Sequence, residues 1–396
     1  MRNASLKIIL SYIGIYLCLP LLGFVIFGDA FMARFIPIEG NLNLLISLAI
    51  LISLIFFIGI FYISLTIPDI SIPYIHLIYS RRVILPLSFL FVGVGISFYS
   101  VAGFEFRQSN NSFSSLGYIG FLNILLKMYF TYAIFLLSNL KSEPSDYIIF
   151  TLILIGFFLN LTTSIEVLAI VLCLVGFFNI KSNISKIPVK SNKILPMVIT
   201  SISVLLVLYV GVVNKMSFGD WLSEESGSIL FYFAERFSIH FYSLLHIINS
   251  IDVWSFEKIF TAISYEIEVM SYRLSVLFGN PESKPLLESM SRLNVTQIVA
   301  DPRISQGASP GPVSMFLISP PLMVGSLINI LLSGFILKRS SLLIQYNNTL
   351  LISLLSMLTV QNIWDGYFSF FSMISEPVFL LFFLIASSER LKKSRE

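Results

Sequence analysis

Residues 43–67 read NLLISLAILISLIFFIGIFYISLTI, a run without a single charged side chain. A hydrocarbon core about 30 Å thick needs about 20 apolar residues at a rise of about 1.5 Å each, and this stretch exceeds that. Applied outward in both directions, the same test finds about ten such segments. They cover 6–28, 43–67, 83–103, 118–138, 147–162, 165–180, 194–213, 313–337, 349–364 and 368–387. The fifth and sixth are short and joined only by Thr163 and Ser164. They count as two crossings, the alternatives being one long tilted helix or a re-entrant pair.

Composition agrees. The 396 residues are 56% hydrophobic and only 12% charged, with a mean hydropathy of +0.88, against about 45–50% and about 25% in soluble domains. A soluble globule is excluded. A net charge of +3, with the basic residues scattered among apolar runs, gives no nucleic-acid footprint. Cys18 and Cys173 both lie in apolar segments, so no disulfide framework follows. The fold class expected is all-α, a polytopic membrane bundle of about ten transmembrane helices with a large helical external loop.

Orientation follows from Lys and Arg, which stay cytoplasmic. With the amino terminus inside, that side collects Arg2, Lys7, Arg81, Arg82, Lys141, the lysines from 181 to 193, Lys338, Arg339 and the basic tail from Arg390. Arg34 and Arg107 stand in short external loops. Both termini are then expected in the cytoplasm, in a multi-pass membrane protein. The first span imitates a secretory signal, but its apolar stretch is long and no small-residue cleavage site follows, so it reads as an uncleaved helix.

Three regions result: helices one to seven in 1–213, an external cap in 214–312, and helices eight to ten with the basic cytoplasmic tail in 313–396. The cap carries much of the remaining charge and also Trp221, Phe231, Phe241, Tyr242, Trp254, Phe260 and Tyr272. So aromatic a loop folds rather than staying disordered. Runs 227–250 and 255–279 have the length and periodicity of amphipathic helices lying on or dipping into the outer interface.

Chemistry is sought first in FYFAERFSIHFYSLLH, residues 231–246. On a helix Tyr232, Arg236 and His240 share a face. Arg offers a planar fork to phosphate oxygens, and His moves a proton near neutral pH. The competing assignment makes Arg236 a headgroup contact and His240 a packing residue. In DPRISQGASPGPVSMFLI, residues 301–318, Arg303 precedes a turn with Gly307, Ser309 and Gly311 at the start of a membrane helix. Helix amino termini favour anions, so a pyrophosphate suits this turn. The alternative is a helix-entry loop set by Pro310 and Pro312. Arg107, in FEFRQSNNSF, faces the same compartment, as an anion ligand or an interfacial anchor. Lys127, Glu166 and Glu376 fall within spans, and a Lys127 to Glu376 ion pair would offset their cost in lipid.

No metal site is expected: His76, His240 and His246 do not form a cluster, and Glu266 and Glu268 share a face only in a strand. GxxxxGK[ST], GxGxxG and GxSxG patterns are absent, so no nucleotide or other cofactor is expected.

Taken together, the many helices, the FEFRQSNNSF loop, the aromatic Arg-bearing helix that begins the long loop, and Arg303 with GASPGP resemble the Wzy-type O-antigen polymerases. These oligosaccharide repeat-unit polymerases are relatives of the O-antigen ligases. The chain departs from the family at TTSIEV, 162–167, where many relatives carry an Arg. The resemblance implies a membrane glycosyltransferase that joins oligosaccharide units carried on undecaprenyl pyrophosphate, building O-antigen or capsular polysaccharide. It also implies a lipid-linked donor and acceptor as partners, together with a regulator of chain length. Arg107, Arg236 and Arg303, with Gly307 and Ser309, would hold the pyrophosphate.

The chemistry is consistent with that assignment, because the outer face has no nucleotide sugars and an activated donor there must arrive on lipid. Guanidinium groups stabilise the charge that grows on the leaving pyrophosphate, without a metal. A base for the attacking hydroxyl would be His240, or after it Glu235. An O-antigen ligase shares the donor. A flippase or other transporter would instead concentrate polar residues inside the bundle and show repeated halves.

Overall fold

A computed structural model of the chain describes residues 2–32, 38, 40–68, 79–102, 112–137, 143–160, 229–249, 255–277, 311–318 and 320–344, and a few positions within 169–174, 356–360 and 380–388. Among the described residues every regular element is a helix. Helix α1 (Arg2–Ile13) passes through a π-helical turn, Gly14–Cys18, into α2 (Leu19–Met32). Then come α3 (Leu42–Thr66), α4 (Arg81–Ala102), α5 (Ser112–Leu137) and α6 (Pro144–Leu159). After these follow α7 (Ile229–Asn249), α8 (Phe256–Leu277), α9 (Gly311–Ile318) and α10 (Pro320–Ile344).

Among the described residues four stretches are long and apolar enough to cross a membrane: Ser5–Ile26, Leu42–Thr66, Arg81–Ser100 and Met323–Ile344. Ile119–Ile134 and Ser145–Leu159 are shorter apolar helices. These six fall at the first five and the eighth of the segments expected from the sequence. The expected spans at 165–180, 194–213, 349–364 and 368–387 lie wholly or largely outside the described residues.

The eighth span differs from its expected form. One helix over 313–337 is replaced by α9 and α10, because Pro320 and Pro321 lack the N–H donors that would continue α9 and disfavour helical backbone just before them. Ser326 Oγ of α10 donates to the Pro312 carbonyl at 3.0 Å, so α9 folds back along α10 as a hairpin. With eight residues, about 12 Å long, α9 cannot cross a bilayer. The crossing helix is α10, and it carries Lys338 and Arg339 in its last turns rather than in a loop. Arg339 is buried, donates Nη2 to Ser388 Oγ at 2.7 Å and lies 5.7 Å over the Phe335 ring.

Between helices in lipid, attraction comes from close packing and hydrogen bonds rather than from the hydrophobic effect. The helices α4 and α6 run parallel. Arg81 grips Asp146 at one end, Phe91 packs on Gly156 and Phe157 in the middle, and Gly95 meets Asn160 at the other end. Helix α5 joins them through Phe130 stacked on Phe91 at 5.0 Å and through Asn123 Nδ2, which donates to Asn160 Oδ1 at 2.8 Å. Helices α3 and α10 also run parallel: Gly334 sits against Ile63, and Lys338 Nζ donates to the Ile67 carbonyl. At the other end of α3, Asn41 caps the helix by accepting from Leu44 N at 3.2 Å, a contact worth about 1 kcal/mol.

Candidate functional site

Helix α7 brings the sequence motifs together. It occupies most of the run expected to be amphipathic, and it buries Phe241, Tyr242, Leu244, Leu245 and Ile247. Its apolar face lies lengthwise on α2 and α3, in a cluster with Leu17, Leu45 and Ala49. Phe24 contacts Phe241 edge-on at 6.2 Å and stacks on Tyr242 at 6.2 Å. Near its end, Asn249 Oδ1 approaches Gly40, just before α3. Running back from there, α7 reaches His240 beside Ser53, Phe56 and Phe57, midway along α3. That position is about 17 Å from the first residue of α3. Helix α7 therefore lies beside the apolar helices rather than across their ends.

His240 lies in the wall of a recess of about 40 Å³, room for a few water molecules. Tyr16 of the π-helical turn, Ser53, Phe56 and Phe57 of α3, and Phe241 and Leu244 of α7 form most of its wall. The remainder is the first turn of α9, Gly311 to Ser314. Tyr16 and His240 have ring centroids 6.0 Å apart. Gly311 has φ +80°, a backbone that glycine adopts without steric cost. It also has no side chain where the imidazole lies: a Cβ there would be 3.1 Å from His240 Nδ1 and 3.4 Å from Cγ.

Four residues with polar side chains line this otherwise apolar wall: His240, Tyr16, and Ser53 and Ser314, each serine at most 5% exposed. The amino terminus of α9 adds the partial positive charge of its first N–H groups. Such a lining suits a small hydroxylic or anionic group with a proton to exchange.

Of the residues expected from the sequence to carry function, the structure places His240 fully. Glu235 and Arg236 stand on α7, with Arg236 one turn before His240, and their side chains are outside those described. Arg107, Arg303, Gly307 and Ser309 lie outside the described residues, as does Glu376. Lys127 is on α5. Gly311, at the end of the GASPGP turn, is the point where that motif meets the aromatic helix. Tyr16, Ser53 and Ser314 were not singled out by sequence. The first two sit inside uniformly apolar spans, and Ser314 follows Gly311 by three positions without a motif of its own. Among the described residues no three of His, Cys, Asp and Glu come together as metal ligands.

In comparisons with known proteins, no family model, no curated protein and no solved structure matches the chain.

Proposed function

We propose that the chain is a membrane glycosyltransferase that polymerises undecaprenyl-pyrophosphate-linked oligosaccharide repeat units into O-antigen or capsular polysaccharide. The observation that carries this is the contact of His240 with Gly311, which joins two separate motifs of the resemblance in one recess. The attacking sugar hydroxyl gives its proton to the His240 imidazole as its oxygen bonds to the anomeric carbon of the donor. The bond from that carbon to pyrophosphate breaks, and its electron pair leaves on the phosphate oxygen. Arg107, Arg236 and Arg303, with Gly307 and Ser309, hold that leaving group, and Glu235 is the second candidate base.

The bundle has about ten spans, both termini in the cytoplasm, and its site opens to the outer face of the cytoplasmic membrane. The parallel course of α3 and α10 fits the proposed order, in which they would be the second and eighth spans and cross in one direction. The parallel course of α4 and α6, which would be the third and fifth, fits it likewise.

The test is the length of surface glycan in a strain lacking the protein. Single repeat units on the surface lipid are expected. Complete absence of glycan there points to a ligase or flippase instead, and accumulation of lipid-linked units on the cytoplasmic leaflet points to the flippase.

A further inference from the structure

Ser314 stands in the first turn of α9 at 1% exposure, and among the described residues its Oγ has no hydrogen-bond partner. A buried hydroxyl left unsatisfied is destabilising, and folded proteins rarely keep one. This one lines the same recess as His240 and Ser53, which has room for a few waters. Gly311 and the back-folded hairpin, fixed by the Ser326 bond to Pro312, place it there.

Resting on the polymerase assignment, we infer that Ser314 is a substrate-binding residue that recognises the acceptor sugar through a second hydroxyl, adjacent to the one that attacks. The attacking hydroxyl faces His240. Its neighbour on the ring donates to Ser314 Oγ, so the lone pair of the attacking oxygen stays free for the anomeric carbon. Proton transfer is to the imidazole, the new bond joins the acceptor oxygen to the anomeric carbon, and pyrophosphate departs with the electrons of the broken bond. Ser314 exchanges no proton in this step. Its effect is on which acceptor is held and in what orientation. The acceptor class is thereby narrowed to a non-reducing sugar bearing a vicinal pair of hydroxyls.

The experiment pairs a protein change with a substrate change. Purified wild type and Ser314→Ala are assayed with a lipid-linked donor and two acceptors, one complete and one lacking the hydroxyl next to the attacked position. Wild type should lose about tenfold in kcat/KM with the deoxy acceptor, the worth of one hydrogen bond. Ser314→Ala should show that loss already with the complete acceptor and no further loss with the deoxy one. Its melting temperature should equal or exceed that of wild type, because an unsatisfied buried hydroxyl has been removed. Equal deoxy penalties in the two proteins would overturn the role of Ser314, as would full activity of the variant on the complete acceptor. If wild type forms no glycosidic bond with any lipid-linked pair, the polymerase assignment fails, and the inference about Ser314 falls with it.

Discussion

His240 and Gly311 touch across the interface of α7 and α9, so closely that a methyl group on residue 311 would lie 3.1 Å from Nδ1 and 3.5 Å from the histidine Cβ. At φ +80° an alanine also meets a backbone conformation costing about 1–2 kcal/mol. Gly311→Ala is therefore expected to lower the melting temperature in detergent and to displace the imidazole. Glycan chains should shorten more than the loss of folded protein explains, as seen when chain length and membrane-fraction immunoblots are compared.

The His240 side chain itself separates chemistry from packing. His240→Gln keeps most of the volume and would lose the proposed base, so on the proposed function the rate of chain extension should fall by about 10²–10⁴ while the protein level in the membrane holds. Extension at the wild-type rate would assign the base to Glu235 or to another residue.

On the proposed function, Arg236→Ala and Arg303→Ala should each abolish long chains at an unchanged protein level, since each would remove a guanidinium proposed to hold the leaving pyrophosphate. Normal chain-length distributions in both variants would remove these two residues from the site.

Arg81 and Asp146 form a fork between α4 and α6, with Nε 2.7 Å from Oδ1 and Nη2 2.9 Å from Oδ2. Asp146 is fully buried and also accepts from Glu143 N at 2.8 Å, while the Arg81 side chain is 24% exposed. Removing the arginine leaves a buried carboxylate without its cation. Discounted for the exposure of Arg81, Arg81→Ala should cost about 2–3 kcal/mol, and Arg81→Lys, which cannot fork, should recover only part of it. Thermal unfolding in detergent micelles measures both.

Gly156 faces the Phe91 ring with no room for a side chain. Gly156→Val should separate α4 from α6 and cost about 1–3 kcal/mol by overpacking, again read as melting temperature. Equal stability of variant and wild type would mean that the ring moves aside freely.

Much of the helical plan was legible in the sequence, because an uncharged run long enough to cross lipid permits few other structures. Residues 43–67 come out as α3 within one position at each end. The break before Pro320 was also written in the chain, as two consecutive prolines, but a hydropathy window averages over them. Why Arg339 is tolerated inside α10 was not legible, since its neighbours Phe335 and Ser388 include a residue from a distant segment. In the site, the Arg236 and His240 periodicity and the glycine turn were both visible, but their meeting was not, because 71 positions separate His240 from Gly311. Tyr16 and Ser53 carry no local signal at all, and only tertiary packing gives them a role.

The π-helical turn at Gly14–Cys18 has a consequence for the first span as a whole. One extra residue in a turn of about 3.6 delays the angular phase of everything after it by about 100°. Ile8, Ile9 and Tyr12 thus point into one hydrophobic cluster, while Leu17 and Phe24, on the same rod, point into the other. The rod works like a camshaft with its lobes set at two angles. Shortening it by one residue there would swing one set of lobes off its seat, leaving the helix intact but serving a single core.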